Sequence, residues 1–488
     1  MKSEKIVYSK SSNCKFYYVV VVALMLFFAI FTAMKFPYTY ITMEGDSFWI
    51  STWDFWLLKL TITPALTNWI ADYLMQFYRW PFVAASIEAL ALGSVALLAH
   101  AVFLRITGSK RHFAWLGLLP AILLGFYCTF NFSFLLQSFF FFVFLYVFTL
   151  IPSFKGKLLM GLLTVPIGFF LMHTPILLIL VILQALLILK YHGVKKSPYW
   201  LLPLIMLYFA PIIYSQQLAF IPFEKRYAGW SGYFDPLTSH YTRDGENLKK
   251  IICLANEGRW EDILYREHLR SLGQRGNITL LHYALLAESA LGTLPDNLLD
   301  YPIREENQFL YPHERNYISL QFNRLFYLNL GVFDEAFHQA QEYSLQMVNG
   351  DCFSSLRQMV DYSIEEGEWE VADKYLRILA KSSCHKKFVE ERRETMEAAK
   401  KTIKKDIPLR ADNFVGGYPL PIEMLRLARY YGDTPYRKKM VDYAICSYIL
   451  RGDANSFLIA LNAFNTYTEK ELPRAYKTYK EKITTGNN

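Results

Sequence analysis

Two carboxylates separated by a glycine, Glu44-Gly45-Asp46, stand just beyond the first long apolar stretch of the chain. Glycine lets the backbone turn there, and two convergent carboxylates can hold a divalent cation such as Mg or Mn, or serve as a general base. Glu88 is the one acidic residue inside a predicted apolar span. A carboxylate at membrane depth is costly, by about 2.5–3.5 kcal/mol for Asp at a helix centre, and faces a partner or a wet cavity. Glu88 therefore either lines a cavity beneath Glu44 and Asp46 or is hydrogen-bonded to a neighbour such as Asn131 or Gln137. The plainer reading of the acidic pair is that Glu44 or Asp46 caps a helix beginning near Ser47. His173 and His100 fit structural roles, the second as a residue that snorkels to an interface.

The elements that must position these groups are apolar. Seven apolar stretches occupy the first 216 of 488 residues: Phe16–Phe36, Pro81–Phe103, Phe113–Phe130, Phe132–Ile151, Leu158–Met172, Pro175–Leu189 and Tyr199–Ser215. A helix needs roughly 20 apolar residues to cross a ~30 Å hydrocarbon core, so the fifth and sixth are short and read as a hairpin about His173-Thr174-Pro175. Phe16–Phe36 is long for a signal peptide and lacks a small-x-small cleavage site, so it reads as an uncleaved anchor. The expected fold is all-α: a polytopic membrane domain over 1–216, a linker over 217–245 and a soluble helical domain over 246–488.

Charge sets the orientation. Up to Ser215, 15 Lys and Arg face 6 Asp and Glu, and beyond it 36 face 37, so the net charge of +8 comes from the membrane half. With the N-terminus in the cytoplasm, 12 of those basic residues fall inside and only Lys35, Lys59 and Arg79 outside. This matches the positive-inside rule. It places the C-terminal domain across the membrane, which in a Gram-negative inner membrane is the periplasm, and gives no sign of a nucleic-acid partner.

The first outer loop, 37–80, is acidic and aromatic. Trp49, Trp53 and Trp56, then Trp69, Tyr73 and Phe77, follow helical spacing. Two helices lying in the membrane surface, broken at Thr63-Pro64, are expected. An acidic motif in the first outer loop, surface helices and a seven-span core together resemble the type C glycosyltransferases, polytopic enzymes that take sugars from lipid-phosphate donors. The resemblance covers Lys15 to Ser215 in architecture, with Glu44-Gly45-Asp46 as its motif. It implies catalysis at Glu44 and Asp46, with Glu88 nearby, a divalent cation on Glu44 and Asp46, and a lipid-linked sugar as substrate.

Beyond residue 246 the punctuation recurs as glycine, any residue, aromatic, acidic: Gly258-Arg259-Trp260-Glu261, Gly331-Val332-Phe333-Asp334 and Gly367-Glu368-Trp369-Glu370. Each glycine can close a helix in the left-handed conformation while the aromatic opens the next. The last two lie 36 residues apart, close to the period of about 34 of a tetratricopeptide repeat. Glu246 to Lys381 resembles such repeats, with Leu330-Gly331, Asp334-Glu335-Ala336, Ala372, Tyr375 and Leu376 at the interlocking positions. Two departures are plain: Gly258 to Gly331 is about two periods, and Pro295 to Pro312 interrupts the pattern. Helical repeats stack neighbours and leave a concave face free for a peptide or helix. Arg315, Asn316, Tyr317, Gln321 and Arg324 offer a polar face for such a partner, or are a solvated surface. Lys386 to Lys405 reads as an exposed charged connector.

Taken whole, the chain resembles an uncharacterised Gram-negative family of multi-pass membrane proteins, through Phe309-Leu310-Tyr311-Pro312-His313-Glu314-Arg315-Asn316-Tyr317 and Tyr73-Leu74-Met75-Gln76-Phe77. Six cysteines form no CxxC or Cys-His metal spacing. Cys352 and Cys384 fall at neighbouring helix ends, where either a disulfide or two buried thiols fit. There is no P-loop, dinucleotide fingerprint or serine-hydrolase elbow. The leading function is an inner-membrane scaffold whose repeats bind a protein; the alternative is a transferase using a lipid-linked sugar. A transporter is third, because inverted repeats are not visible.

Overall fold

A computed structural model describes residues 12–61, 64–108, 115–127, 132–193, 198–214, 243–265, 278–303, 308–309, 317–346, 352–402, 420–432, 434–464 and 467–485. Every regular element among them is helical. The chain divides into two compact units, Met1–Thr242 and Arg243–Asn488. Most of the expected linker lies outside the described residues, and its last three residues open a helix.

The N-terminal unit contains α1 (Ser12–Lys35), α2 (Pro37–Gly45), α3 (Trp53–Lys59), α4 (Ala65–Met75), α5 (Pro81–Thr107), α6 (Leu118–Tyr127), α7 (Phe132–Leu150), α8 (Phe154–Leu171), α9 (Thr174–His192) and α10 (Leu201–Tyr214). Five of these, α1, α5, α7, α8 and α9, are long and apolar enough to cross a membrane, against seven expected. The shortfall falls on the third and seventh stretches, which form shorter apolar helices, Trp115–Phe126 and Pro198–Ile213. An apolar run counts residue types, whereas helix length depends on where the backbone turns.

The expected short hairpin is instead two full helices. Ser153 caps α8, its hydroxyl accepting the Gly156 N–H at 3.1 Å. Lys157, which a charge count places outside the span, is buried with its ammonium 4.2 Å from the Tyr191 ring centre and 5.4 Å from that of Phe148. Its stem packs as an apolar group. At the far end α9 starts with Pro175 in its first turn, where a missing N–H costs nothing.

Cross-links fix which helix ends meet. The Thr67 hydroxyl in α4 donates to the Leu171 carbonyl at 2.6 Å, and Ser133 donates to Asn68 Oδ1 at 2.6 Å. The His173 N–H donates to Gln137 Oε1 at 2.9 Å. The start of α7 and the turn between α8 and α9 thus lie beside α4. At the opposite end of the bundle, Lys190 donates to the Ile106 carbonyl, joining the ends of α5 and α9. Helix α6 runs antiparallel to α5: a Cβ on Gly117 would meet the His100 backbone, while Gly125 faces Leu92 and Phe28.

The C-terminal unit contains α11 (Arg243–Asn256), α12 (Trp260–Leu264), α13 (Ile278–Leu291), α14 (Leu294–Asn297), α15 (Tyr317–Leu330), α16 (Phe333–Gln346), α17 (Phe353–Glu366), α18 (Trp369–Leu379), α19 (Lys386–Thr402), α20 (Pro421–Ala428), α21 (Pro435–Arg451), α22 (Ala454–Phe464) and α23 (Arg474–Thr484). Trp260, Phe333 and Trp369 each open a helix directly after a glycine turn. Gly331 and Gly367 have φ of 79° and 77°, the left-handed conformation that ends a helix without a Cβ clash. Helix α15 packs against α16, α13 and α21, so it is covered on several sides.

Candidate functional site

The first loop folds onto the ends of the long helices through polar contacts. Glu44 is buried at the C-terminal end of α2, and Asp46 is the residue that closes that helix, its N–H donating to the Thr42 carbonyl at 2.9 Å. The expected helix from Ser47 does not form. Ser47 instead donates its hydroxyl to the Glu44 carbonyl, and α3 begins at Trp53 with Thr52 as its cap. The acidic pair therefore sits at a helix C-terminus, where backbone carbonyls make a negative charge unfavourable by about 0.3–1 kcal/mol. Trp49 lies before α3 rather than on it, and its ring packs on Trp69 and Tyr73 at 5.4 and 4.9 Å.

Glu88 is buried with both carboxylate oxygens occupied by phenols. Tyr40 donates to Oε2 at 3.0 Å and Tyr78 to Oε1 at 3.2 Å. Gln137, one expected partner, is engaged with Ser133 and His173, and Asn131 lies outside the described residues.

A second buried ionic group escaped the sequence reading. Lys59 Nζ meets Asp72 Oδ2 at 2.6 Å with both side chains 1% exposed, and the ammonium lies 4.9 Å from the Phe55 ring centre. Burial raises the Asp72 pKa against the pull of Lys59. The available signal was the run of Thr67, Asn68 and Asp72 on the buried face of α4. Among the described residues no group of three or more His, Cys, Asp or Glu side chains could hold a metal ion.

An apolar recess of about 450 Å³ lies between α1, α5 and α6, lined by Phe27, Phe28, Phe31, Thr32, Phe36, Leu92, Gly93 and Gly125 among others. Its Thr32 hydroxyl is already donated to the Phe28 carbonyl at 2.8 Å.

The C-terminal unit carries a cleft of about 350 Å³ built from five helices: Trp260 of α12; Leu325, Leu328 and Asn329 of α15; Asp361, Ile364 and Glu365 of α17; Arg392 and Thr395 of α19; and Tyr436 and Lys439 of α21. Leucines and aromatics give it an apolar wall. Asp361 is held between Arg392, at 2.7 Å, and Arg357, at 3.9 Å, and burial raises its pKa against both arginines. Lys439 donates to Asn329 Oδ1 at 2.8 Å, and Asn329 in turn donates to the Ser289 hydroxyl at 2.8 Å. Burial lowers the Lys439 pKa. Helix α19, expected as a solvated connector, turns Arg392 and Thr395 into this cleft.

The polar face expected on α15 is not a surface. Gln321 is 2% exposed and Arg324 0%. Gln321 donates to the Tyr343 hydroxyl at 2.6 Å, and the Arg324 guanidinium lies 4.4 Å from the Tyr343 ring centre. Neighbours on several sides of α15 bury positions that an isolated amphipathic helix would leave wet, so these two side chains cannot meet a protein partner as expected. Tyr317 opens α15; Arg315 and Asn316 lie outside the described residues. Cys352 and Cys384 are free thiols, the first buried against Leu320 and Tyr343.

This architecture defines an all-helical protein in which a bundle with several helices able to cross a membrane precedes a second helical unit bearing a polar-apolar cleft. The chain belongs to a family of unknown function, DUF6057, which it matches over residues 12–478. No curated protein and no solved structure matches it.

Proposed function

We propose that this protein is a membrane-anchored scaffold whose C-terminal unit, a tetratricopeptide-like stack, captures a segment of a protein partner. The observation that carries this reading is the cleft that α12, α15, α17, α19 and α21 build together. Its volume suits a few peptide residues, with an apolar wall for side chains and placed polar groups to fix them. Lys439 keeps N–H groups beyond the one given to Asn329, and Trp260 and Tyr436 are of the types that anchor interfaces.

The anchor reading rests on seven crossings. Helix α5 ends at the opposite end of the bundle from where α7 begins, so the intervening chain must traverse it, which supports α6 as a crossing despite its length. The same alternation supports α10 as the last. Together with the basic residues of the intervening segments, this argues for a cytoplasmic N-terminus and a C-terminal unit outside the inner membrane.

A photoreactive side chain at Tyr436 in the full chain, expressed in cells, tests the scaffold. A discrete protein adduct is expected on illumination, weakened by Lys439→Glu and absent from the 91%-exposed control position Tyr265. No adduct from Tyr436 or Trp260 sinks the reading.

A second reading, a transferase for a lipid-linked sugar, is favoured by the apolar recess. It follows α1 to Phe36, one residue before the helix that carries Glu44. A hydrocarbon chain seated there would bring its head group to α2, and the unfavourable placement of two carboxylates at a helix C-terminus would then have a use. Glu44→Gln with Asp46→Asn removes this reading if glycosylated products in cells are unchanged.

A further inference from the structure

Arg324 lies in the middle of α15 with 0% of its surface exposed. Among the described residues none of its Nε, Nη1 and Nη2 atoms has a hydrogen-bond partner. The hydroxyl of Tyr283, buried on the neighbouring α13, is likewise without one. The guanidinium charge reaches the phenols of both Tyr283 and Tyr362. Tyr362 turns its own hydroxyl to the Arg324 carbonyl, at 3.4 Å, and makes no hydrogen bond to the guanidinium.

Arginine cannot shed its proton to escape burial, and its five N–H groups are donors only. The Tyr343 ring face, 4.4 Å away, gives back through its quadrupole only part of what burying the charge costs. What the guanidinium lacks is an acceptor carrying a negative charge. One positive group calls for one negative charge, and a guanidinium with 0% of its surface exposed calls for a species small enough to lie among buried side chains.

We propose that Arg324 and the Tyr283 hydroxyl hold a small monovalent anion, a halide or the carboxylate of a short organic acid, inside the C-terminal unit. The guanidinium N–H groups and the phenol O–H all donate to it. Its role is to complete the interior of α13, α15, α16 and α17, so its occupancy is read as stability.

The test uses the full chain purified in detergent and exchanged into sodium gluconate, whose anion is too bulky for the site. Thermal unfolding is then followed while sodium chloride, bromide or formate replaces gluconate at constant ionic strength. A ligand bound only by the folded state raises the midpoint with RT ln(1 + [L]/Kd), so a rise is expected with at least one of the three. A rise with halides alone identifies the halide, and one with formate alone the carboxylate. Tyr283→Phe, which removes a single oxygen, shifts the titration to several-fold higher anion concentration; Arg324→Met abolishes it. Equal midpoints in all four salts overturn the proposal, and so does an anion dependence unchanged in Tyr283→Phe. The Tyr283 variant keeps the test decisive if Arg324→Met does not fold.

Discussion

A Cβ built on Gly331 would lie 2.6 Å from Cγ of Tyr436, a contact between the turn that separates α15 from α16 and the first turn of α21. Gly331 also has φ of 79°, so it is constrained twice, by backbone conformation and by the ring against it. Gly452 has φ of 72° but nothing within 4 Å of its would-be Cβ. Gly452→Ala is expected to cost only the left-handed penalty, about 1–2 kcal/mol. Gly331→Ala adds overpacking of about 1–3 kcal/mol. Thermal unfolding of both variants and of Gly331→Ala with Tyr436→Ala checks this: the double variant recovers the steric part but not the conformational part.

Lys59 and Asp72 make a different prediction because they form an ion pair in a buried setting. Asp72→Asn leaves a buried ammonium without its counter-charge and is expected to destabilise the folded first loop by about 3–5 kcal/mol. Lys59→Met combined with Asp72→Leu removes both charges and is expected to recover most of that loss. Proteolysis within the 37–80 loop of the detergent-purified chain reads out the effect. Equal sensitivity of the single and double variants would remove the ion pair as the element that holds α3 to α4.

Two buried groups of the C-terminal unit give opposite pH dependences. Burial raises Asp442 from 3.8 to about 6, although Tyr476, Tyr467 and Lys438 pull it down. Between those values the folded state holds a proton that the unfolded chain has lost, so stability rises as pH falls through 6. His282 goes the other way: burial lowers it from 6.5 to about 4, partly offset by a backbone hydrogen bond at Gln308. There the unfolded state takes up the proton, and stability present above 6.5 is lost as pH falls. From pH 7 to pH 5 the Asp442 contribution is about 1 kcal/mol favourable and that of His282 about 2 kcal/mol unfavourable. Denaturant unfolding of Asp442→Asn should show a steeper acid loss than the parent chain, and His282→Gln a shallower one.

Local features were legible in the chain and tertiary ones were not. Gly258, Gly331 and Gly367 announce helix ends because a left-handed φ is a property of one residue, and Trp260, Phe333 and Trp369 open the next helices as their positions imply. Trp49 shares a helical spacing with Trp53 and Trp56 yet lies off the helix, since periodicity cannot see the Thr52 cap that starts α3. Gln321 and Arg324 read as a surface because their types are polar; burial by α13, α16 and α21 is a property of the stack. The Lys59–Asp72 pair joins two helices across a proline break, and its only trace was polar residues on the wrong face of α4. In the candidate cleft, Trp260 and Lys439 are 179 positions apart and meet only through folding.

Glu88 allows a structural acid to be told from a working one. Its two oxygens accept from Tyr40 and Tyr78, whose phenols are themselves 1% and 0% exposed. A phenol hydroxyl can accept as well as donate, so Glu88→Gln can keep both contacts, with Nε2 donating to one tyrosine and Oε1 accepting from the other. If pairing is the whole role, this variant should stay within about 1 kcal/mol of the parent. Glu88→Leu strands two buried hydroxyls at about 1–3 kcal/mol each, and Tyr40→Phe with Tyr78→Phe in the Leu background should return most of it, since no donor is then left unmade. Thermal unfolding of the four proteins in one detergent decides the matter. A Glu88→Gln protein as unstable as Glu88→Leu would mean that the negative charge itself is required, which hydrogen bonding to Tyr40 and Tyr78 does not explain.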